Sequence, residues 1–292
     1  MRFLLTRKES GSILFLSLVI QLELEIRGNN TMSQKGYSEL SKDAVYLLSR
    51  SEFEKQKVIT TEYAVKVLGS YRKATALLAA LAQRNRLIQL RRGRYLVVPL
   101  KAPNQRWMPS EFIVASSWMG DIPYYIGYSS MYNYWGFTEQ IPQSVFVLNT
   151  QKEWRRKIGK NSYTALQISA QKMYGLKKVK IDDVNAFISD KERTLVDFIS
   201  NPIGSWENVQ TVLNEQINKI NIEKFIRYLV RFPVVAVRKR AGVMLERAGA
   251  PLGYVNKLKA SIEKNNTYVI FNPFIKSRKG KIDKDWRIIL NG

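Results

Sequence analysis

Between Lys57 and Val98 the hydrophobic pattern changes period, from helical spacing through a glycine stop to a second helical stripe and then to alternation about a turn. Val58 and Ile59 lead into Thr60 and Thr61. Either threonine can cap a helix, because its hydroxyl accepts from a backbone N–H of the first turn. Glu62 to Leu68 then sets Tyr63, Ala64, Val67 and Leu68 at helical spacing. Gly69 is a natural stop, since glycine takes positive φ at little cost. Ser70 caps a third helix over Tyr71 to Arg84, with Ala74, Leu77, Leu78 and Leu81 as its inward stripe. After Asn85, the strand formers Leu87, Ile88, Leu90, Tyr95, Leu96 and Val97 flank a turn at Arg92-Gly93. Upstream, Asp43 to Phe53 carries Val45, Leu47, Leu48 and Phe53, which predicts a first helix with these residues facing inward. This order predicts a winged helix-turn-helix, a shape that sets one helix into the major groove of duplex DNA.

The charge supports the same direction. Lys and Arg number 47 against 24 Asp and Glu, a formal net charge of +23. Such an excess calls for a polyanionic partner, nucleic acid first and an anionic membrane surface second. The first turn of the third helix offers Ser70, Tyr71, Arg72, Lys73 and Thr75, residue types that contact phosphates and base edges. Cations there oppose the helix dipole, and a polyanion at the same place relieves that conflict. Arg91, Arg92 and Arg94 cluster at the hairpin tip, where they repel one another unless solvated or paired with phosphate. These eight residues are the candidate DNA contacts. Arg238, Lys239 and Arg240 are read as a secondary basic patch.

Composition narrows the chemistry. The sequence has no cysteine and no histidine. No Ser–His or Cys–His nucleophile pair and no His- or Cys-ligated metal site can be built from it. It has no phosphate loop of the GxxxxGK[ST] type, and no Gly-Ser followed by Asp-x-Asp. Asp182-Asp183 lies at a predicted turn without a third acid nearby. The expectation is a protein with no catalytic residues, no metal and no cofactor.

The predicted fold class is α+β. Residues 1–36 form an N-terminal extension, with basic residues at Arg2, Arg7 and Lys8 and an apolar run from Ile13 to Ile20 too short to span a bilayer. Met32 opens a polar stretch that suits a natural start, which makes the preceding segment a mis-annotated start or a disordered arm. The winged helix occupies 37–100, a linker 101–109 and a mixed α/β domain 110–292. In that domain Ser110 to Met119 reads as a helix, Tyr124 to Ile126 as a strand, and Ser129 or Ser130 as the cap of a helix through Tyr134 or Trp135 that Gly136 ends. Strands follow at Ser144 to Leu148, Tyr163 to Ser169 and Val179 to Ile188, the last with its turn at Asp182-Asp183. The aromatics from Tyr124 to Trp135 suit helix-on-sheet packing better than a stacking platform for single strands. Ser189 with Glu192 three residues on is a capping box, and Arg193 with Asp197 is an i,i+4 surface pair. Amphipathic helices follow, one of them capped near Asn221. A helix after Pro233 ends at Gly249, and two apolar runs flank a basic turn in the tail.

The segment ITTEYAVKVLGSYRKATALLAALAQRNRLIQLRRGRYLV, the string from Tyr125 to Thr150, ISDKERTLVDFI, VRKRAGVMLERAG and the terminal DWRIILNG resemble, in order and spacing, the AbiEi-type antitoxins of abortive-infection phage defence. The resemblance runs from about Tyr37 to Gly292. It departs where relatives often carry a histidine and this chain has Tyr134 or Trp135. It implies a cytoplasmic transcriptional repressor that binds promoter repeats. It also implies an antitoxin of a type IV system, which counteracts a nucleotidyltransferase-like toxin without forming a stable complex. No membrane partner is expected. A stand-alone winged-helix regulator and a basic RNA-binding protein are the alternatives.

Overall fold

The computed structural model describes residues 40–99, 109–158, 161–181 and 184–291. The extension, the Met32 start, the greater part of the linker and the Asp182-Asp183 turn lie outside the described residues. The chain divides into two units, with the boundary between Met108 and Pro109. The described residues are mixed α+β, with three sheets. No helix among them is long and apolar enough to cross a membrane.

In the first unit, α1 (Lys42–Phe53) is followed by β1 (Val58–Thr60), α2 (Thr61–Leu68), α3 (Tyr71–Gln83), β2 (Leu87–Arg91) and β3 (Arg94–Val97). Thr60 is the cap of α2, its Oγ1 accepting from the Tyr63 N–H at 3.1 Å. Gly69 ends that helix at φ 71, and the Ser70 hydroxyl accepts from the Lys73 N–H at 3.4 Å. The strands form an antiparallel sheet in the order β1-β3-β2. Leu47, Leu48, Ile59, Ala64, Leu78 and Leu81 are buried at its core, with Leu77 packed at the margin.

The predicted inward face of α1 is corrected. The buried arc is Ala44, Leu47, Leu48 and Ser51, spaced i, i+3, i+4 and i+7. Val45 and Phe53 fall outside that arc and are 42% and 88% exposed.

The second unit holds α4 (Glu111–Met119), β4 (Tyr124–Gly127), α5 (Ser129–Tyr132), β5 (Ser144–Asn149), β6 (Trp154–Ile158), β7 (Asn161–Gln167), β8 (Leu176–Ile181) and β9 (Val184–Ser189). Its six-stranded sheet runs β6-β7-β5-β4-β9-β8 and mixes parallel and antiparallel neighbours. The strand β6, WRRKI, went unrecognised in the sequence. The helix α5 is only one turn long, and neither serine caps it. Ser130 Oγ instead accepts from the Phe146 N–H at 2.7 Å and donates to the Ser144 carbonyl, tying α5 to β5.

A helical layer follows: α6 (Lys191–Ser200), α7 (Trp206–Gln216), α8 (Ile222–Arg231), α9 (Val235–Arg247) and α10 (Leu252–Ala260). The tail adds β10 (Val269–Ile270), β11 (Lys281–Asp283) and β12 (Ile288–Leu290), ordered β10-β12-β11. Trp286 is fully buried against α9, where its ring occupies the space a Cβ on Gly242 would need.

Candidate nucleic-acid interface

The first turn of α3 projects from the first unit. Tyr71 is 67% exposed, and Arg72 and Lys73 are exposed beside it. Two of the predicted contacts are engaged locally. Ser70 Oγ serves as the helix cap, and Thr75 Oγ1 donates back to the carbonyls of Tyr71 and Arg72 at 3.0 and 3.1 Å. Lys73 also has a partner that went unforeseen: its Nζ lies 2.8 Å from Asp43 Oδ2 at the start of α1. That pair joins residues thirty apart in sequence through packing, so no local spacing announces it.

The hairpin of β2 and β3 carries the three arginines. Arg91 and Arg94 are direct cross-strand partners, and Arg92 is exposed at the turn. Like charges set opposite each other destabilise a strand pair, and an anion between them reverses the sign. Among the described residues no carboxylate forms an ion pair with Arg72, Arg91 or Arg92. Arg94 is placed differently. The Glu62 carboxyl is held below its ordinary value first by its own backbone N–H and the Thr60 hydroxyl, with the charge of Arg94 adding to this. The turn is fixed to the helical part: the Thr61 N–H donates to the Gly93 carbonyl at 3.0 Å. Gly93 has φ 72, and a Cβ there would lie 3.3 Å from Thr61 Oγ1, so the position demands glycine.

The basic residues singled out in the second unit lie elsewhere than predicted. Arg238, Lys239 and Arg240 form no surface patch. Arg238 donates to the carbonyls of Phe232 and Ser261, and Arg240 to that of Ile270. Lys239 is fully buried, and its Nζ donates to Asn265 Oδ1 at 2.9 Å and to the carbonyls of Asn265 and Thr267. Burial lowers the pKa of all three. Lys239 and Arg240 bolt α9 to the chain around β10, and Arg238 ties it to the ends of α8 and α10.

The capping box and the surface pair are corrected as well. Asp190, not Ser189, caps α6, its Oδ1 accepting from the Arg193 N–H at 2.8 Å. Glu192 leaves the cap and accepts from the Asn221 N–H and from Lys224 Nζ, each at 3.0 Å. Asn221 caps α8 as expected. Arg193 and Asp197 form an ion pair 3.0 Å apart, with both side chains 1% exposed. The guanidinium lies 4.5 Å from the Tyr174 ring and 5.3 Å from that of Phe232, and donates to Tyr125 Oη at 3.1 Å. Burial pushes the Asp197 carboxyl up to about 6 against the pull of Arg193. This is a packed joint between α6 and the sheet. Among the described residues no group of three acids stands ready to hold a metal ion.

Comparison with known families gives no match, and comparison with curated proteins gives none. Among solved structures, the crystal structure of the RV2827C protein from Mycobacterium tuberculosis matches with a TM-score of 0.60 at 16% identity, over 86% of this chain and 92% of that one. At that identity the likeness is one of fold, and it extends across both units.

Proposed function

We propose that the first unit is a winged helix that holds duplex DNA, with α3 as the recognition helix and the β2–β3 hairpin as the wing. The chain then acts as a transcriptional repressor. The observation that carries this reading is the exposed, basic first turn of α3 in the same unit as an arginine-tipped hairpin. Arg91 and Arg92 in that hairpin, and Arg72 in that turn, have no carboxylate partner among the described residues. Phosphate contacts of this kind position a protein on the duplex, while Tyr71 is placed to reach base edges. Of the eight predicted contacts, Tyr71, Arg72, Arg91 and Arg92 are offered directly, Arg94 lies near Glu62, and Lys73 is shared with Asp43. Ser70 and Thr75 support the turn that presents them.

The test is a salt series of fluorescence anisotropy on a fragment of the gene's own promoter. Each lost phosphate contact lowers the slope of log K against log salt by about 0.9. Replacing Arg91, Arg92 and Arg94 by alanine is expected to weaken binding and flatten that slope. An unchanged slope removes the wing from the interface, and equal affinity for structured RNA removes the preference for duplex DNA.

The antitoxin role is proposed on the resemblance to AbiEi-type proteins. It places the neutralisation of a nucleotidyltransferase-like toxin in the second unit and the whole chain in the cytoplasm. Co-expression with the product of an adjacent nucleotidyltransferase-like reading frame is expected to restore growth, and to do so with the second unit alone. Lack of such a neighbour leaves a stand-alone regulator.

A further inference from the structure

The tail of the second unit presents an unusual stretch. Residues 274–282, FIKSRKGKI, are exposed at every position, and they contain no acid. Phe274, Ile275 and Ile282 are 54%, 38% and 55% exposed, so three large apolar side chains stand in water among cations. Lys276, Lys279 and Lys281 have no side-chain partner among the described residues. The one arginine is already engaged, donating from Nη2 to the Tyr268 carbonyl at 3.0 Å. The acids at the margin are engaged too. Asp283 accepts from the Trp286 N–H, and Asp285 pairs with Lys259 at 2.9 Å.

The stretch stands on a fixed base. Asn291 Oδ1 accepts from the Asn272 N–H at 2.9 Å, and Asn291 Nδ2 donates to the Ile275 carbonyl at 2.8 Å. Beneath it, Trp286 fills its place on α9.

We propose that this face docks on an anionic phospholipid surface, with Phe274, Ile275 and Ile282 entering the interfacial layer and the lysines meeting the headgroups. Three kinds of partner suit positive charge, and the residue types separate them. Nucleic-acid interfaces are strongly polar and favour arginine, whereas here lysines outnumber the single arginine, which donates to a carbonyl of its own chain, and three large apolar side chains are exposed. Protein interfaces are depleted in lysine. Lysines around exposed aromatic and aliphatic side chains are what a diffuse, anionic, apolar-backed surface rewards. Such a contact needs no spanning helix, and it is independent of the DNA reading.

Co-sedimentation of the full chain with vesicles tests it, using phosphatidylcholine alone against equal parts phosphatidylcholine and phosphatidylglycerol. Binding is expected only to the anionic vesicles and is expected to fall with salt. Replacing a lysine by glutamine is expected to lower the partition by about fivefold. The decisive variant is F274S/I275S/I282S, which keeps every charge and alters only exposed side chains; circular dichroism verifies its fold. It is expected to lose at least tenfold in vesicle binding while its promoter binding stays unchanged. Equal binding to both vesicle types overturns the proposal. So does wild-type vesicle affinity in the triple variant, since that assigns the binding to net charge alone. A loss of DNA or RNA binding in the triple variant, with vesicle binding intact, reassigns the face to nucleic acid.

Discussion

Two groups of cations, one in each unit, are used in opposite ways. In the first, Arg72 of α3 and Arg92 of the hairpin are exposed to solvent. In the second, Arg193, Arg238, Lys239 and Arg240 turn inward onto rings and backbone carbonyls. The difference lies in the neighbours. Around Arg193 the chain supplies Asp197, Tyr125 and Tyr174, which together hold its charged form despite burial. Among the described residues, nothing comparable surrounds Arg92. Net charge therefore says how much positive charge a protein carries and not how much of it a ligand can meet.

Substitutions can break that contrast. The largest effect is expected at Arg193. Its replacement by alanine leaves Asp197 buried without its partner and is expected to cost about 3–5 kcal/mol in urea unfolding of the second unit. Promoter affinity of the fraction that remains folded should be unchanged. A cost below about 1 kcal/mol places Arg193 with the surface cations instead.

A pH series gives the next effect, on the order of 1–3 kcal/mol. The Asp197 carboxyl rises from 3.8 to about 6 on folding. The folded state therefore takes up its proton more readily than the unfolded state. The resulting stabilisation is complete below 3.8 and is lost as pH rises through about 6. Glu192 has the opposite sign. Burial raises its pKa, but the Asn221 N–H and Lys224 outweigh that and lower it, so its contribution is lost as pH falls through its folded value. The melting temperature should therefore rise on acidification through 6 and fall again further down. Replacing Asp197 by asparagine should remove the first limb.

The smallest effect sharpens the comparison at an exception within α3 itself. Asp43 holds Lys73 as internal partners hold the buried cations, but at the surface, with side-chain exposures of 50% for Lys73 and 44% for Asp43. Exposed pairs are worth at most about 1 kcal/mol, so Asp43→Asn should leave stability almost unchanged. It should tighten DNA binding severalfold by freeing Lys73. Weaker binding would make Asp43 a support for the interface instead of a competitor.

What the sequence revealed followed the range of the forces involved. The caps at Ser70 and Asn221 and the stop at Gly69 are local chemistry, and they were readable; the cap of α2 was narrowed to Thr60 or Thr61, and it is Thr60. The face of α1 was not, because Val45 and Leu48 look alike until the rest of the core chooses an arc. The Arg193–Asp197 spacing was legible as a pair, but its burial is imposed by Tyr125 and Phe232, remote in the chain. Ser189 and Asp190 are adjacent and both able to cap, so the spacing to Glu192 favoured the wrong one. The strand β6 was hidden because charged residues interrupt its alternation. Its register comes from its antiparallel partner β7.

The missing side chain at Gly242 is a socket, and the indole of Trp286 is the plug. Shortening the chain by its last seven residues, or lengthening residue 242 by one methyl group, would then be the same injury made from opposite sides. Trp286, Ile288 and Asn291 belong to the interior of the second unit, and a deletion series that treats them as an appendage would be removing part of the foundation.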